Sequence, residues 1–81
     1  MLYRKLRAEM FAQEKKMPDV QKAIARGSSY VSACFNGKNE FTMAEAYLIL
    51  DLLGLPYMEL PKYFPPAGID GMQLRPGALS A

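Results

Sequence analysis

Proline and glycine residues divide this chain into short segments, and their positions limit what it can fold into. Pro18, Gly27, Gly37, Gly54 and Pro56 each stand where an apolar pattern is interrupted. Proline removes a backbone donor and glycine readily adopts positive φ, so both residues end helices. Between these interruptions apolar residues recur at helical spacing. The sequence therefore predicts an all-α fold without a sheet, with five helices near residues 2–14, 17–25, 28–36, 42–53 and 56–63.

The clearest helix signal begins at Thr42. Thr42 and Glu45 have the spacing of a capping box, and Phe41 precedes the cap where it can pack onto Ala46. Gly54 is placed to cap the other end of this helix. The apolar positions of the successive segments predict a single core. It consists of Leu6, Met10, Val20, Ile24, Val31, Phe35, Ile49, Leu50 and Leu53.

Composition excludes several classes of protein. A chain of 81 residues has room for one small domain, and 51% hydrophobic with 22% charged residues is an ordinary globular balance. The only cysteine, Cys34, cannot form an internal disulfide, and its apolar neighbours predict a buried packing residue. Without histidine, a zinc site and the common catalytic pairs are excluded. We therefore expect no enzyme activity, no cofactor, no metal and no small-molecule substrate.

No segment has the length or composition of a membrane anchor. The longest apolar runs fall well short of the roughly 18 residues that a span needs, and the first ten residues mix charged with apolar side chains. The sequence thus predicts a cytoplasmic protein with no membrane partner.

The charges are distributed unevenly along the chain. Residues 1–38 carry eight basic and three acidic side chains, a net charge of +5, whereas residues 39–81 carry a net charge of −3. A basic half favours a surface that faces a polyanion. The alternative is that these lysines and arginines only form the solvated faces of two helices. Charge alone does not separate the two interpretations.

Two stretches of the sequence resemble a known family. They are the run RGSSYVSACFNGK at residues 26–38 and the run FTMAEAYLILDLLGLP at residues 41–56. The first is similar to the second half of the helix-turn-helix, and the second to the fourth helix and the start of the fifth, in Cro/CI-type phage repressors and xenobiotic-response-element proteins. The style is closest to phage and mobile-element members from Gram-positive bacteria. The resemblance covers residues 2–64.

The chain departs from the family pattern at specific positions. Met17 stands near the place of a glutamine that holds a DNA phosphate, Gln21 in the place of a small alanine, and Ala25 in the place of the turn glycine. An Arg–Glu pair that often ties the first helix to the end of the recognition helix falls on Met10 and Phe35. An apolar contact is expected to replace that charge pair.

The resemblance implies a cytoplasmic DNA-binding transcriptional regulator, a repressor or Cro-like protein, whose partner is double-stranded DNA. Its recognition helix runs from Ser28 to Phe35 and enters the major groove N-terminus first. The positions carried over for base contact are Ser28, Ser29, Ser32 and Ala33. The positions carried over for phosphate contact are Lys16, Lys22, Arg26, Tyr30, Asn36 and Lys38.

A second function remains open on the sequence alone. The scaffold could have lost specific DNA binding and serve as a protein-interaction module. Its partner surface, or a homodimer interface in the DNA-binding case, would be the segment with Tyr57, Met58, Leu60, Tyr63 and Phe64, which could also pack back on the core. We expect the domain to comprise residues 1–64, and the Gly/Pro-rich residues 65–81 to form a flexible tail.

Overall fold

The computed structural model describes residues 2–65 and 68–69, and this part of the chain folds into five α-helices with no strand. The predicted all-α fold is therefore confirmed. A 3-10 turn, Tyr57–Glu59, leads directly into the last helix. The helices are α1 (Arg4–Ala12), α2 (Met17–Ile24), α3 (Ser28–Phe35), α4 (Met43–Leu53) and α5 (Leu60–Tyr63).

The helix ends follow the local sequence signals. The hydroxyl of Thr42 accepts a hydrogen bond from the Glu45 backbone N–H, and the Glu45 carboxylate accepts one from the Thr42 backbone N–H. This is the predicted capping box. At the end of α3, Gly37 has a φ of 82°, and the Lys38 N–H donates to the Ala33 carbonyl at 2.9 Å. Because a side chain is strained at that φ, glycine suits the turn that closes α3.

The predicted core is confirmed, since all nine of its residues are buried. Tyr3, Cys34, Ala46 and Tyr63 are buried with them. Burial of Val31, Cys34 and Phe35 fixes the rotation of α3 about its own axis, because these side chains form its inner face. The opposite face of α3 is consequently left to solvent.

Four aromatic rings fill one end of the core. Tyr3, Phe35, Phe41 and Phe64 contact one another edge to face, with ring centroids 5.5–6.1 Å apart. The Tyr3 backbone N–H also donates to the Gly68 carbonyl at 2.8 Å. The packed unit therefore reaches Gly68, four residues past the predicted boundary at residue 64. Of the predicted tail, residues 66–67 and 70–81 lie outside the described residues.

An arginine joins α1 to the end of α3. The Arg7 guanidinium donates to the carbonyl oxygens of Leu2 at 2.7 Å and of Phe35 at 3.1 Å, and its central carbon lies 4.9 Å from the centre of the Phe35 ring. A cation is favourable at a helix C-terminus, where unpaired carbonyls concentrate negative charge. Met10 and Phe35 both lie in the core as expected, and the polar contact between these helices comes from Arg7, three residues before Met10.

The turn between α2 and α3 consists of Ala25, Arg26 and Gly27. Ala25 adopts the left-handed conformation, with φ 56° and ψ 44°, at the place where the family pattern has glycine. This conformation costs a non-glycine residue roughly 1–2 kcal/mol, and glycine's greater freedom in the unfolded chain offsets part of that cost. Ala25→Gly should therefore stabilise the protein by about 0.5–1 kcal/mol, measured as a higher urea midpoint with an unchanged slope.

Ala8→Gly is the matched control, because Ala8 is exposed in the middle of α1. There glycine should destabilise the protein by about 1 kcal/mol, the opposite sign. If Ala25→Gly also lowered the midpoint, the left-handed turn would be contradicted.

No helix in the described part of the chain has both the length and the apolar character that crossing a membrane requires.

Candidate nucleic-acid interface

The outer face of α3 carries short polar side chains. Ser28, Ser29 and Ser32 are exposed, and Ala33 is half-buried. Ser28 and Ser32 stand four residues apart, and Asn36 continues their row just past the helix end. The row follows directly from the burial of the opposite face. All four residues carried over as base contacts thus keep at least part of their surface open to solvent.

The row on α3 forms one wall of a groove. Ser28, Ser32 and Asn36 line it together with Gln21 of α2 and Arg7 of α1. Its volume is about 290 Å³. Gln21 is half-buried here, and its amide can both donate and accept hydrogen bonds. The sequence singles out Gln21 only because it stands where the family pattern has a small alanine. In the structure, Gln21 lies at the edge of the polar face of α3.

Among the residues carried over as phosphate contacts, four have exposed side chains near the ends of α2 and α3. Lys16 precedes α2, Lys22 lies in its last turn, and Asn36 and Lys38 follow α3. The Asn36 amide is 3.4 Å from the Ser32 hydroxyl, which is long for a hydrogen bond. The side chains of these four residues are exposed and carry N–H groups, so they can donate hydrogen bonds to an anion.

The other two residues carried over as phosphate contacts have a partner inside the protein. The Tyr30 hydroxyl donates to Glu45 Oε1 at 2.6 Å, and the Arg26 Nε donates to Glu45 Oε2 at 3.1 Å. The Arg26 guanidinium also lies 4.5 Å from the centre of the Tyr30 ring. A phenol has one proton to donate, so the Tyr30 contact occupies the donor that a phosphate would need. Arg26 keeps further N–H groups on a half-exposed side chain.

Glu45 is a buried acid, only 6% exposed, between the start of α3 and the start of α4. Burial alone would raise the pKa of Glu45, but hydrogen bonds from Tyr30 and the Thr42 backbone, with the charge of Arg26, outweigh it and lower this pKa. The same hydrogen bond raises the pKa of Tyr30 to about 12. Glu45 is therefore an anion at neutral pH and holds the N-terminal half of α3 against α4.

Sequence reasoning missed the role of Glu45 because its capping-box position explains the residue without burial. No local signal could have found it, because its partners Arg26 and Tyr30 belong to an earlier part of the chain. Glu45 holds α3 in position through its contacts. Because its carboxylate is buried, it is not itself available to a ligand of the outer face of α3.

The segment proposed as a partner surface is divided by the fold. Tyr57 and Met58 are exposed, at 52% and 85%, and the Tyr57 hydroxyl donates to the Asp51 carboxylate. Tyr63 is buried, and Phe64 packs against the aromatic end of the core. The surface that this segment offers a partner is thus smaller than the sequence predicts.

Comparison with protein-family models, with curated proteins and with solved structures finds no match for this chain.

Proposed function

We propose that this protein binds double-stranded DNA through the exposed face of α3 and acts as a transcriptional regulator of the repressor type. The observation that carries the proposal is the row of Ser28, Ser32 and Asn36, which is open to solvent while Val31 and Phe35 anchor the same helix in the core. A short helix held in this way, with a polar outer face, suits insertion into the major groove.

The charges beside α3 support the same function. Lys16, Lys22 and Lys38 are exposed at the ends of α2 and α3. Lysines in these positions can neutralise phosphates on either side of a major groove, and such contacts set orientation and affinity without reading sequence. The uneven charge of the chain, +5 over residues 1–38, is consistent with a polyanion on this side.

The side chains available to contact base edges on α3 are small. A serine hydroxyl can donate to or accept from several bases, and the Ala33 methyl can contact a thymine methyl. Gln21 and Asn36 add amides at the edge of the row, and an amide can form the paired hydrogen bonds that distinguish adenine. We therefore expect modest sequence preference on top of a strongly salt-dependent affinity.

The second candidate function is a protein-interaction module, and the exposure of Tyr57 and Met58 is the observation that favours it. That surface contains a single, highly exposed methionine and one tyrosine already bonded to Asp51. It is small for an interface core, which usually buries several large apolar side chains. The DNA-binding proposal accounts for more of the surface.

Titration of duplex DNA tests the proposal, with affinity measured across a series of salt concentrations. Log affinity should fall with log salt by about 0.9 per phosphate contact. Lys38→Ala should weaken binding to a selected site and to random duplex alike, and flatten the slope by about one unit. Ser28→Ala and Ser29→Ala should each cost roughly 1–3 kcal/mol on the selected site and leave random duplex nearly unchanged.

Lys62→Ala is the matched control, because it removes the same charge from α5, where Lys62 pairs with Glu59 at 3.5 Å. It should leave the salt slope unchanged. Arg26→Ala is unsuitable here, since it also removes the contact to Glu45. Absence of duplex binding at low salt would refute the proposal, and so would serine variants that bind the selected site as the parent does.

A further inference from the structure

A second groove runs along the outer side of α1 and the segment that follows it. It is wide and open, with a volume of about 970 Å³. Its apolar part is formed by Ala8, Phe11 and Met17, and the Phe11 side chain is 85% exposed. No acidic side chain lines it within the described part of the chain. Its basic lining residues are Arg4, Lys5, Arg7, Lys15 and Lys16.

This groove adjoins the groove beside α3, because Arg7 and Met17 line both of them. The hydrogen bond from Arg7 to the Phe35 carbonyl fixes the shared wall to the end of α3. A ligand lying against the polar face of α3 would therefore reach the α1 groove without crossing an acidic surface.

We propose that the α1 groove binds one phosphate strand of the same DNA duplex and extends the interface beyond the helix pair α2 and α3. This inference rests on the proposed function and adds Lys5 and Lys15 to the residues that carry it. Because the nine residues of α1 rise by about 13 Å, the groove is long enough to contact more than one phosphate of a strand.

A nucleic-acid strand fits this lining better than a protein segment. A protein partner that covered the groove would have to match the charges of Lys5, Lys15 and Lys16 with its own acids or leave them buried without partners, which is costly. A phosphate strand supplies its charges at regular intervals and leaves the lysine side chains in water. Counterion release then favours binding at every contact.

The test is the salt dependence of binding to a random-sequence duplex, measured for Lys5→Ala, Lys15→Ala and the double variant. Each single variant should flatten the slope of log affinity against log salt by about one unit, and the double variant by about two. The loss should be equal on a selected site. Lys62→Ala is again the matched control and should keep the parent's slope, and circular dichroism should show the same helix content throughout.

Phe11→Ala distinguishes a phosphate strand from an occupant of the apolar part. A strand bound through its phosphates should leave the affinity of Phe11→Ala within about twofold of the parent's, with the slope unchanged. A parent slope retained in the double lysine variant overturns this inference while the proposed function stands. A loss in Phe11→Ala that exceeds the loss in the lysine variants also overturns it. Absence of duplex binding by the parent refutes both proposals.

Discussion

Phe35→Ala should destabilise the protein by about 3–5 kcal/mol, a large part of the total stability of so small a domain. Phe35 is 2% exposed and contacts the rings of Tyr3 and Phe41, with centroids 5.6 and 5.5 Å from its own. Alanine would leave a cavity among these rings and remove the surface that the Arg7 guanidinium covers. The free energy of unfolding from a urea titration measures the effect.

Phe11→Ala makes the same chemical change where the ring is 85% exposed. It should alter the free energy of unfolding by less than about 0.5 kcal/mol. A loss below roughly 1 kcal/mol in Phe35→Ala would show that the inner face of α3 is wrongly assigned. That result would also remove the basis for an outward row of serines.

Glu45→Ala should cost about 2–4 kcal/mol, because it removes the Glu45 half of the capping box of α4 together with a charged acceptor for Tyr30 and Arg26. Three donors around the former carboxylate, the Tyr30 hydroxyl, the Arg26 Nε–H and the Thr42 N–H, would then lack this partner. Glu45→Gln keeps the shape and an acceptor oxygen, so its cost should be clearly smaller. Equal urea midpoints for the parent and Glu45→Ala would contradict the support role of this acid.

The pH dependence of stability offers a second measurement on Glu45. Its pKa is lowered in the folded state from an ordinary value of 4.5, so the carboxylate stabilises the fold fully above that value. The contribution is lost as the pH falls through the folded-state pKa. Glu45→Gln cannot titrate, so between pH 5 and the acid transition the parent should lose more stability than this variant. If the stability of the parent and of Glu45→Gln fell in parallel with decreasing pH, the lowered pKa assigned to Glu45 would be contradicted.

The helical pattern was predictable because it depends on local chemistry. The interruptions act within one turn of the chain: Pro18 lies in the first turn of α2, Gly27 caps the start of α3, and Gly37 and Gly54 follow the ends of α3 and α4. The end of the chain was less predictable. Tyr3 and Gly68 are 65 residues apart and meet only when the whole domain packs. No local pattern encodes such a contact, so the sequence could not reveal that Gly68 packs against the first residues of the domain.

Local sequence patterns likewise predict only part of the candidate interface. The outward position of Ser28 and Ser32 follows from the apolar spacing of α3, which the sequence displays. The contacts of Arg7 and Glu45 do not, since each joins helices through a charged side chain whose partners are distant in sequence. Charged residues are normally assigned to solvent, and only the packed structure reveals which of them lie between helices.

Nuclear magnetic resonance mapping of the bound surface tests the central proposal most directly. A ¹⁵N-labelled sample titrated with random-sequence duplex at low salt should show the largest amide shifts at Ser28, Ser29, Ser32 and Lys38, with little change over the Tyr57–Glu59 turn. Shifts confined to that turn, or no shifts at all, would contradict DNA binding through α3.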